Sequence, residues 1–371
     1  MGSEEFLFKY NTITRHLVLK KIFQFIPSFL LIGFCFGFVG VTPLFCDDVP
    51  MDDRANWRVL WANDAPFDSD NQFSNGFGLG LNSPLARSLE ETKGTPAFGK
   101  GLAGWFLPER EELYYRESWS LGHHMQHPDD LRESELILDD VPYVSLLAWS
   151  NSYIAFNNEE FTGFQTLIGW TGHYTFGEEL QRNGHKFFDA NQPAGWENQL
   201  ENELILNLYY MRKWKAVEGP WADLSFNLDA ALGNMFTFAQ TAMEFRLGDR
   251  PGGFAYQVNS IGHGLDYDAR IYSGEKSYLY ATLILRGRAL IHALSRDGNY
   301  IRSDNPWTEH NELDERIFIG QAGISLHYER RDWGIQGSLY FSSNSVDNTG
   351  RDTQVADPQN NFVVIMFEKF F

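Results

Sequence analysis

Cysteine is almost missing from this 371-residue chain. The only two, Cys35 and Cys46, lie in its first segment, so the remainder carries neither disulfides nor thiol chemistry. Basic charge is scarce as well: 30 Lys and Arg face 49 Asp and Glu, a formal charge of -19. That balance repels polyanions, and no basic patch occurs beyond the N-terminus, so nucleic acid is excluded as a partner. Gly-x-Ser-x-Gly, His-Glu-x-x-His and Cys-x-x-Cys are all absent, and an acyl-enzyme serine is not indicated. One long apolar run occurs near the N-terminus, and no other apolar helix follows it.

Arg15, Lys20 and Lys21 precede that run, residues 22–45, which only Gln24 and a few small residues interrupt. Positive charge followed by an apolar stretch is the form of a secretory signal. Charge then turns acidic at Asp47 and Asp48. Residues 1–46 therefore read as a signal peptide cleaved near Cys46, with 47–371 as the mature domain. About 20 apolar residues also suffice for a single membrane anchor. A lipidated Cys46 is disfavoured by the bulk of Phe45 before it.

What the chain has in quantity is aromatics, 16%, and 33 glycines, which lean toward β structure. Beyond residue 55 the apolar pattern has period 2. From Asp223 to Gly233, Leu224, Phe226, Leu228, Ala230 and Leu232 alternate with Asp223, Ser225, Asn227, Asp229 and Ala231. Tyr278 to His292 repeats it, setting Leu279, Leu283 and Leu285 against Tyr280, Arg286 and Arg288, over a run too long for an ordinary sandwich strand. About twelve such segments occur, near 57–65, 73–82, 114–124, 144–156, 161–172, 202–213, 222–233, 238–247, 277–292, 316–329, 333–344 and 361–371. An even number closes a single-chain outer-membrane barrel, and an aromatic last strand ending in Phe371 suits one. The expectation is an all-β, transmembrane antiparallel barrel of about twelve strands, lipid outside and polar within, in the outer membrane of a Gram-negative bacterium. A secreted β-sandwich shows the same alternation but would have to hide these strands in two sheets.

If the first strand starts in the periplasm, the connections near 66–72, 125–143, 173–201, 234–237, 293–315 and 345–360 are extracellular. The oxygen-rich knot Asn63, Asp64, Asp68, Asp70 and Asn71 then stands at the outer rim. Its hard oxygens, with Ser74, suit calcium. The stretch GEELQRNGHKFF predicts a short helix lying in the barrel mouth, with Gln181 and His185 one turn apart on one face. Gly76, Gly78 and Gly80 share the inner face of the second strand with Ser74, which leaves room for something to pack closely there. His123, His124 and His127, at the end of strand three and in its loop, read as interfacial or wall residues.

Five short motifs fall in order: Asn63-Asp64; Phe73-Ser74-Asn75-Gly76; Ser120-Leu121-Gly122 running to His127-Pro128; Gly177 to His185; and Gly195-Trp196-Glu197-Asn198-Gln199 to Glu203. Together they resemble the outer-membrane lipid A 3'-O-deacylase family, the LpxR type, from about residue 57 onward. The resemblance implies a twelve-stranded barrel that removes the 3'-linked acyloxyacyl chain of lipid A, or lipopolysaccharide, in the outer leaflet. It also implies chemistry like that of phospholipase A2, with a histidine base acting on water and calcium at the oxyanion. By position His185 is then the base and Gln181 holds water or ester, while Asn63, Asp64 and Ser74 form or support the metal and oxyanion site. The chain departs from the pattern at Phe73-Ser74, where the family has Tyr-Thr. Around Pro128 it offers only Arg132 for a lipid phosphate, beside Asp129 and Asp130. Asp189 is the nearest candidate acid for His185. The other readings are an outer-membrane phospholipase and a non-catalytic barrel, either pore or adhesin.

Overall fold

The computed structural model describes residues 54–64, 75–92, 97–187, 189, 191–257, 259, 262–274, 276–347 and 361–371. The expected signal peptide and Ser74 lie outside these residues. Twelve long strands form one closed antiparallel barrel. They are β1 Asn56–Asn63, β2 Asn75–Asn82, β3 Tyr114–Gln126, β4 Val144–Phe156, β5 Glu160–Thr171, β6 Glu203–Glu218, β7 Ala222–Gly233, β8 Phe236–Asp249, β9 Tyr278–Ala293, β10 Phe318–Glu329, β11 Trp333–Ser342 and β12 Phe362–Phe370. Each pairs with its neighbour in sequence, and β1 closes on β12 from Asn56 opposite Phe370 to Asn63 opposite Val363. Ala55 and Phe371 exchange two backbone hydrogen bonds below that seam.

The alternation read from sequence holds. On β7, Phe226, Leu228 and Leu232 are exposed and Asp223, Ser225, Asn227 and Asp229 are buried; on β9, Leu279, Leu283 and Leu285 are exposed against buried Tyr278, Tyr280 and Thr282. Apolar outside and polar inside is the reverse of a water-soluble domain, and it suits a wall facing lipid. The turns 157–159, 219–221 and 330–332 share one end of the barrel with the start of β1 and the end of β12, which is the periplasmic end. The long connections 127–143, 172–202 and 294–317 share the other. Two periplasmic connections break the rule of short turns. One, 83–113, carries helix α1 Ala97–Ala103. The other, 250–277, enters the lumen.

Nothing in the period-2 pattern marks 250–277 as a plug, but its contacts do. Asp266 pairs with Arg58 of β1, and its backbone N–H donates to Gln165 Oε1 of β5 at 2.7 Å. Asp268 pairs with Arg116 of β3 at 2.9 Å. Tyr267 meets Lys213 of β6 at 2.7 Å, and Arg270 reaches Glu329 of β10 at 2.9 Å and Glu368 of β12 at 2.7 Å. A segment touching inward side chains on so many strands can only run inside the barrel. Buried charges need direct partners, and these have them. Burial alone would raise the Asp268 carboxyl, but Arg270 and Arg116 overcome it and hold Asp268 well below the usual carboxylate range.

The glycine face of β2 serves this network. A Cβ at Gly80 would stand 2.6 Å from the Arg58 guanidinium carbon, and one at Gly78 would stand 2.8 Å from Leu60 Cγ. What packs closely against the bare wall is therefore Leu60, together with Arg58 on its way to Asp266.

Candidate active site

The connection 172–202 holds a short helical turn His173–Thr175, helix α2 Gly177–Phe187 and a second turn Trp196–Asn198. Glu178 and Glu179 open α2 while His185 and Lys186 close it, which complements the helix dipole. Arg182 adds a one-turn ion pair to Glu178 at 2.8 Å. The helix sits differently from the expectation of a place in the barrel mouth. It meets the outward face of the wall, because the residues it touches, His123 and Ser145, share the parity of exposed Leu121 and Leu147. Its own Phe176 flank, Leu180 and Phe187 are exposed.

Three hydrogen bonds fix the start of α2. His123 Nε2 lies 2.9 Å from the Thr175 carbonyl and 3.1 Å from Ser145 Oγ, and Thr175 Oγ1 is 2.6 Å from Ser145 Oγ. A carbonyl only accepts, so His123 carries its proton on Nε2. Gly177 follows because nothing larger fits: a Cβ there would stand 2.4 Å from Ser145 and 2.8 Å from the Trp196 ring. Trp196 is fully buried against Tyr143, ring centres 4.9 Å apart, and donates its indole N–H to Gln181 Oε1 at 2.7 Å. The Gly195-Trp196 motif thus orients the glutamine seen in sequence.

His185 is half-buried one turn beyond Gln181. Its Nδ1 is hydrogen-bonded to the Asn191 carbonyl rather than to the Asp189 carboxylate. Since that oxygen accepts, Nδ1 bears the proton and Nε2 keeps the lone pair. His185 and His123 are therefore opposite tautomers. Only the first has a basic Nε2.

Asn63 ends β1 and Asp64 follows it, 2% exposed. The pairing Ala62 opposite Gly76 puts Asn63, one step further, across from Asn75. The outward parity of Trp61 and Phe77 extends to both asparagines. Phe77 in turn faces His123 across β3, so with strands about 4.8 Å apart the His123 anchor of α2 is about 10 Å along the wall from β1. Among the described residues Asn75 Oδ1 is buried with no hydrogen-bond partner, an oxygen that sequence reasoning did not single out. A carboxylate and amide oxygens are the donors calcium takes, so Asn63, Asp64 and Asn75 fit it. The described residues contain no cluster of three His, Cys, Asp or Glu side chains. Arg132 stands in the 127–143 connection, exposed, with Asp130 at 3.6 Å.

The extracellular connections lock together. Ala194 N–H donates to the Leu131 carbonyl, Leu200 N–H to Tyr143 and Glu312 N–H to Leu138. Trp307, in helix α4 Pro306–His310 of the 294–317 connection that also carries α3 Leu294–Asp297, donates to the Asp140 carbonyl at 3.0 Å. His123, read from sequence as an interfacial or wall residue, Ser145, which sequence reasoning missed, and Trp196, quoted from sequence only within a motif, are those that seat the helix. A histidine and a serine at lipid-facing parity are the signal that could have found the first two.

Comparison with known proteins follows the same lines. A family profile described as outer membrane protein LpxR matches residues 30–358. Among solved structures, LpxR from Salmonella typhimurium superposes with a TM-score of 0.63 at 14% identity, covering 85% of this chain and 100% of that one. The β domain of the Bordetella autotransporter BrkA reaches only 0.40 at 8% identity, over 86% of this chain and 99% of its own. An outer membrane channel from Pseudomonas putida F1 reaches 0.39 at 10%, over 90% and 100%. No curated protein sequence matches. The chain is an outer-membrane β-barrel and belongs to the LpxR family of outer membrane proteins.

Proposed function

We propose that this protein is a calcium-dependent lipid A deacylase that hydrolyses the 3'-O-linked acyloxyacyl ester in the outer leaflet. The observation that carries the reading is the hydrogen bond between His185 Nδ1 and the Asn191 carbonyl, which assigns the proton to Nδ1 and leaves Nε2 as the acceptor, on a helix lying against the lipid-facing wall. His185 Nε2 takes a proton from water as its oxygen attacks the ester carbonyl, and returns it to the sugar oxygen as the acyl group leaves as a carboxylic acid. Gln181, turned by Trp196, positions the water or ester through its amide nitrogen. Asn63, Asp64 and Ser74, with Asn75, are the residues that would hold calcium, which when bound supplies positive charge for the developing oxyanion. Arg132 is the cation offered to a headgroup phosphate.

The test incubates the folded barrel in detergent with purified lipid A and measures release of 3-(acyloxy)acyl chains by mass spectrometry, with calcium and with excess chelator. Release that needs calcium and is lost in Asp64→Ala is expected. Release undiminished in chelator would remove calcium from the reading, and hydrolysis of glycerophospholipid in place of lipid A would make the protein a phospholipase.

A further inference from the structure

The barrel lumen has two halves with different electrostatics. In the periplasmic half cations touch carboxylates directly: Arg116 meets Asp268 at 2.9 Å, Lys213 meets Glu244 at 2.9 Å, and Arg270 meets Glu368 at 2.7 Å. In the extracellular half, Arg286 and Arg288 project inward from β9 into a chamber of about 90 Å³. Among the described residues neither makes an ion pair. Arg286 Nη1 donates to Gln321 Oε1 at 2.7 Å, and its Nε is buried with no partner among the described residues. Arg288 donates to Gln240 Oε1 at 2.8 Å and to the His263 carbonyl at 2.9 Å. Gln240 stands between Arg288 and the nearest inward acid, since its amide nitrogen donates to Asp229 at 2.8 Å. The third arginine of the chamber, Arg296, is already matched by Asp297 at 2.6 Å.

We infer that this chamber is a binding site for the oxyanion group, phosphate or carboxylate, of a small organic anion. Two guanidinium groups two residues apart on one strand give the forked donors that such groups accept. Among the described residues their hydrogen-bond acceptors are neutral and Asp229 acts on them without direct contact, so an anion would add direct charge pairing. Serine hydroxyls at Ser342, Ser343 and Ser345 line the extracellular side, and the plug tip at His263 forms the floor. The barrel wall divides the chamber from lipid, so the ligand is a dissolved anion entering from outside. The site is separate from α2 and independent of the ester chemistry.

The test is isothermal titration of the detergent-folded protein with glucose 6-phosphate, inorganic phosphate and neutral glucose, in low salt. Saturable binding of glucose 6-phosphate but not glucose is expected, weakened about tenfold or more in Arg286→Gln/Arg288→Gln. Ser343→Glu changes an exposed rim residue, leaves the arginines in place and should weaken binding similarly by setting a carboxylate against them. Heat-modifiability on gels confirms that each variant is folded. Absence of binding in the wild type, or equal binding in wild type and both folded variants, would overturn the inference, as would transfer of the effect to lipid A micelles alone.

Discussion

Two helical segments cover the same stretch of barrel wall, β3 to β5, from opposite ends, and they do so in different ways. At the periplasmic end the 83–113 connection packs Ala103, Leu107 and Leu113 over Tyr115, Tyr153 and Phe164 in a continuous apolar cluster, and Phe106 stacks on Phe164 at 4.6 Å. The polar groups beneath it face one another: Glu117 accepts from Asn151 at 2.9 Å and from Tyr153 at 3.1 Å. At the extracellular end α2 is held by a few hydrogen bonds to His123 and Ser145 and by one buried tryptophan. Its His185 stays half-buried with a lone pair outward. The first cover buries its polar residues against each other; the second, on the proposed function, turns one toward a reactant. On that reading a cover built for stability completes its hydrogen bonds internally, and one built for chemistry leaves a base that does not.

The strongest way to break this contrast is at His185. His185→Ala and His185→Gln should lose about a hundredfold to ten-thousandfold in kcat with the barrel still heat-modifiable, the range for a general base. His123→Ala should cost less, because its Nε2 proton is committed to the Thr175 carbonyl and it acts by seating the helix. If His185→Ala turns over lipid A normally while His123→Ala is dead, the two histidines have been assigned the wrong roles.

A matched pair of glycines sharpens the contrast further. Gly177 under α2 would bring a Cβ 2.4 Å from Ser145, and Gly99 in α1 would bring one 2.6 Å from Asn151 Oδ1. Both substitutions to alanine force a helix off the same wall. Gly177→Ala should lower kcat about tenfold to a hundredfold, as displacement by an ångström does to catalytic geometry, with little change in unfolding. Gly99→Ala should leave kcat alone and cost about 1–3 kcal/mol in urea unfolding, the usual penalty of overpacking. Activity loss in both, or in neither, would erase the distinction.

The twelve strands were legible because lipid on one side and lumen on the other impose a strict period of two, as in Asp223 to Gly233. The α2 helix was legible from the one-turn spacing of Gln181 and His185, though its side of the wall was not. That placement depends on His123 and Ser145, whose outward polarity makes sense only once a distant segment covers them. The plug was illegible for a different reason. Phe254, Ala255 and Tyr256 are consecutive and all buried, because lumen walls surround the segment on every side, and burial without a preferred face leaves no periodicity. The same plug bears on the pore reading, since Arg58, Arg116, Arg270 and Lys213 fasten it across the lumen. Purified protein in planar bilayers should show no steady ion conductance, and an open channel would contradict a fixed plug.

The smallest effect concerns how firmly the extracellular connections dock beside α2. Asp140 is 7% exposed, and burial pushes its carboxyl up from 3.8 to about 6, with backbone N–H bonds from Asp129 and Val141 opposing the shift and the charges of Asp129 and Asp139 adding to it. A raised folded-state value means the docked loop binds a proton more tightly than the undocked one, so docking weakens as pH rises from about 4 to 6 and is level above. The cost above that window is at most about 3 kcal/mol, at about 1.4 kcal/mol per unit. Asp140→Asn removes the charge but leaves one oxygen where the carboxylate uses two, on Asp129 and Val141 at 2.8 and 2.7 Å. The lost bond costs about 1 kcal/mol, so the variant should dock more firmly at pH 7 and less firmly at pH 4. Hydrogen exchange of the 129–141 amides, corrected for intrinsic rates, should show the two protection profiles crossing between those values. Parallel profiles would mean that Asp140 is not the group that titrates, and that the interlock of these connections is independent of pH.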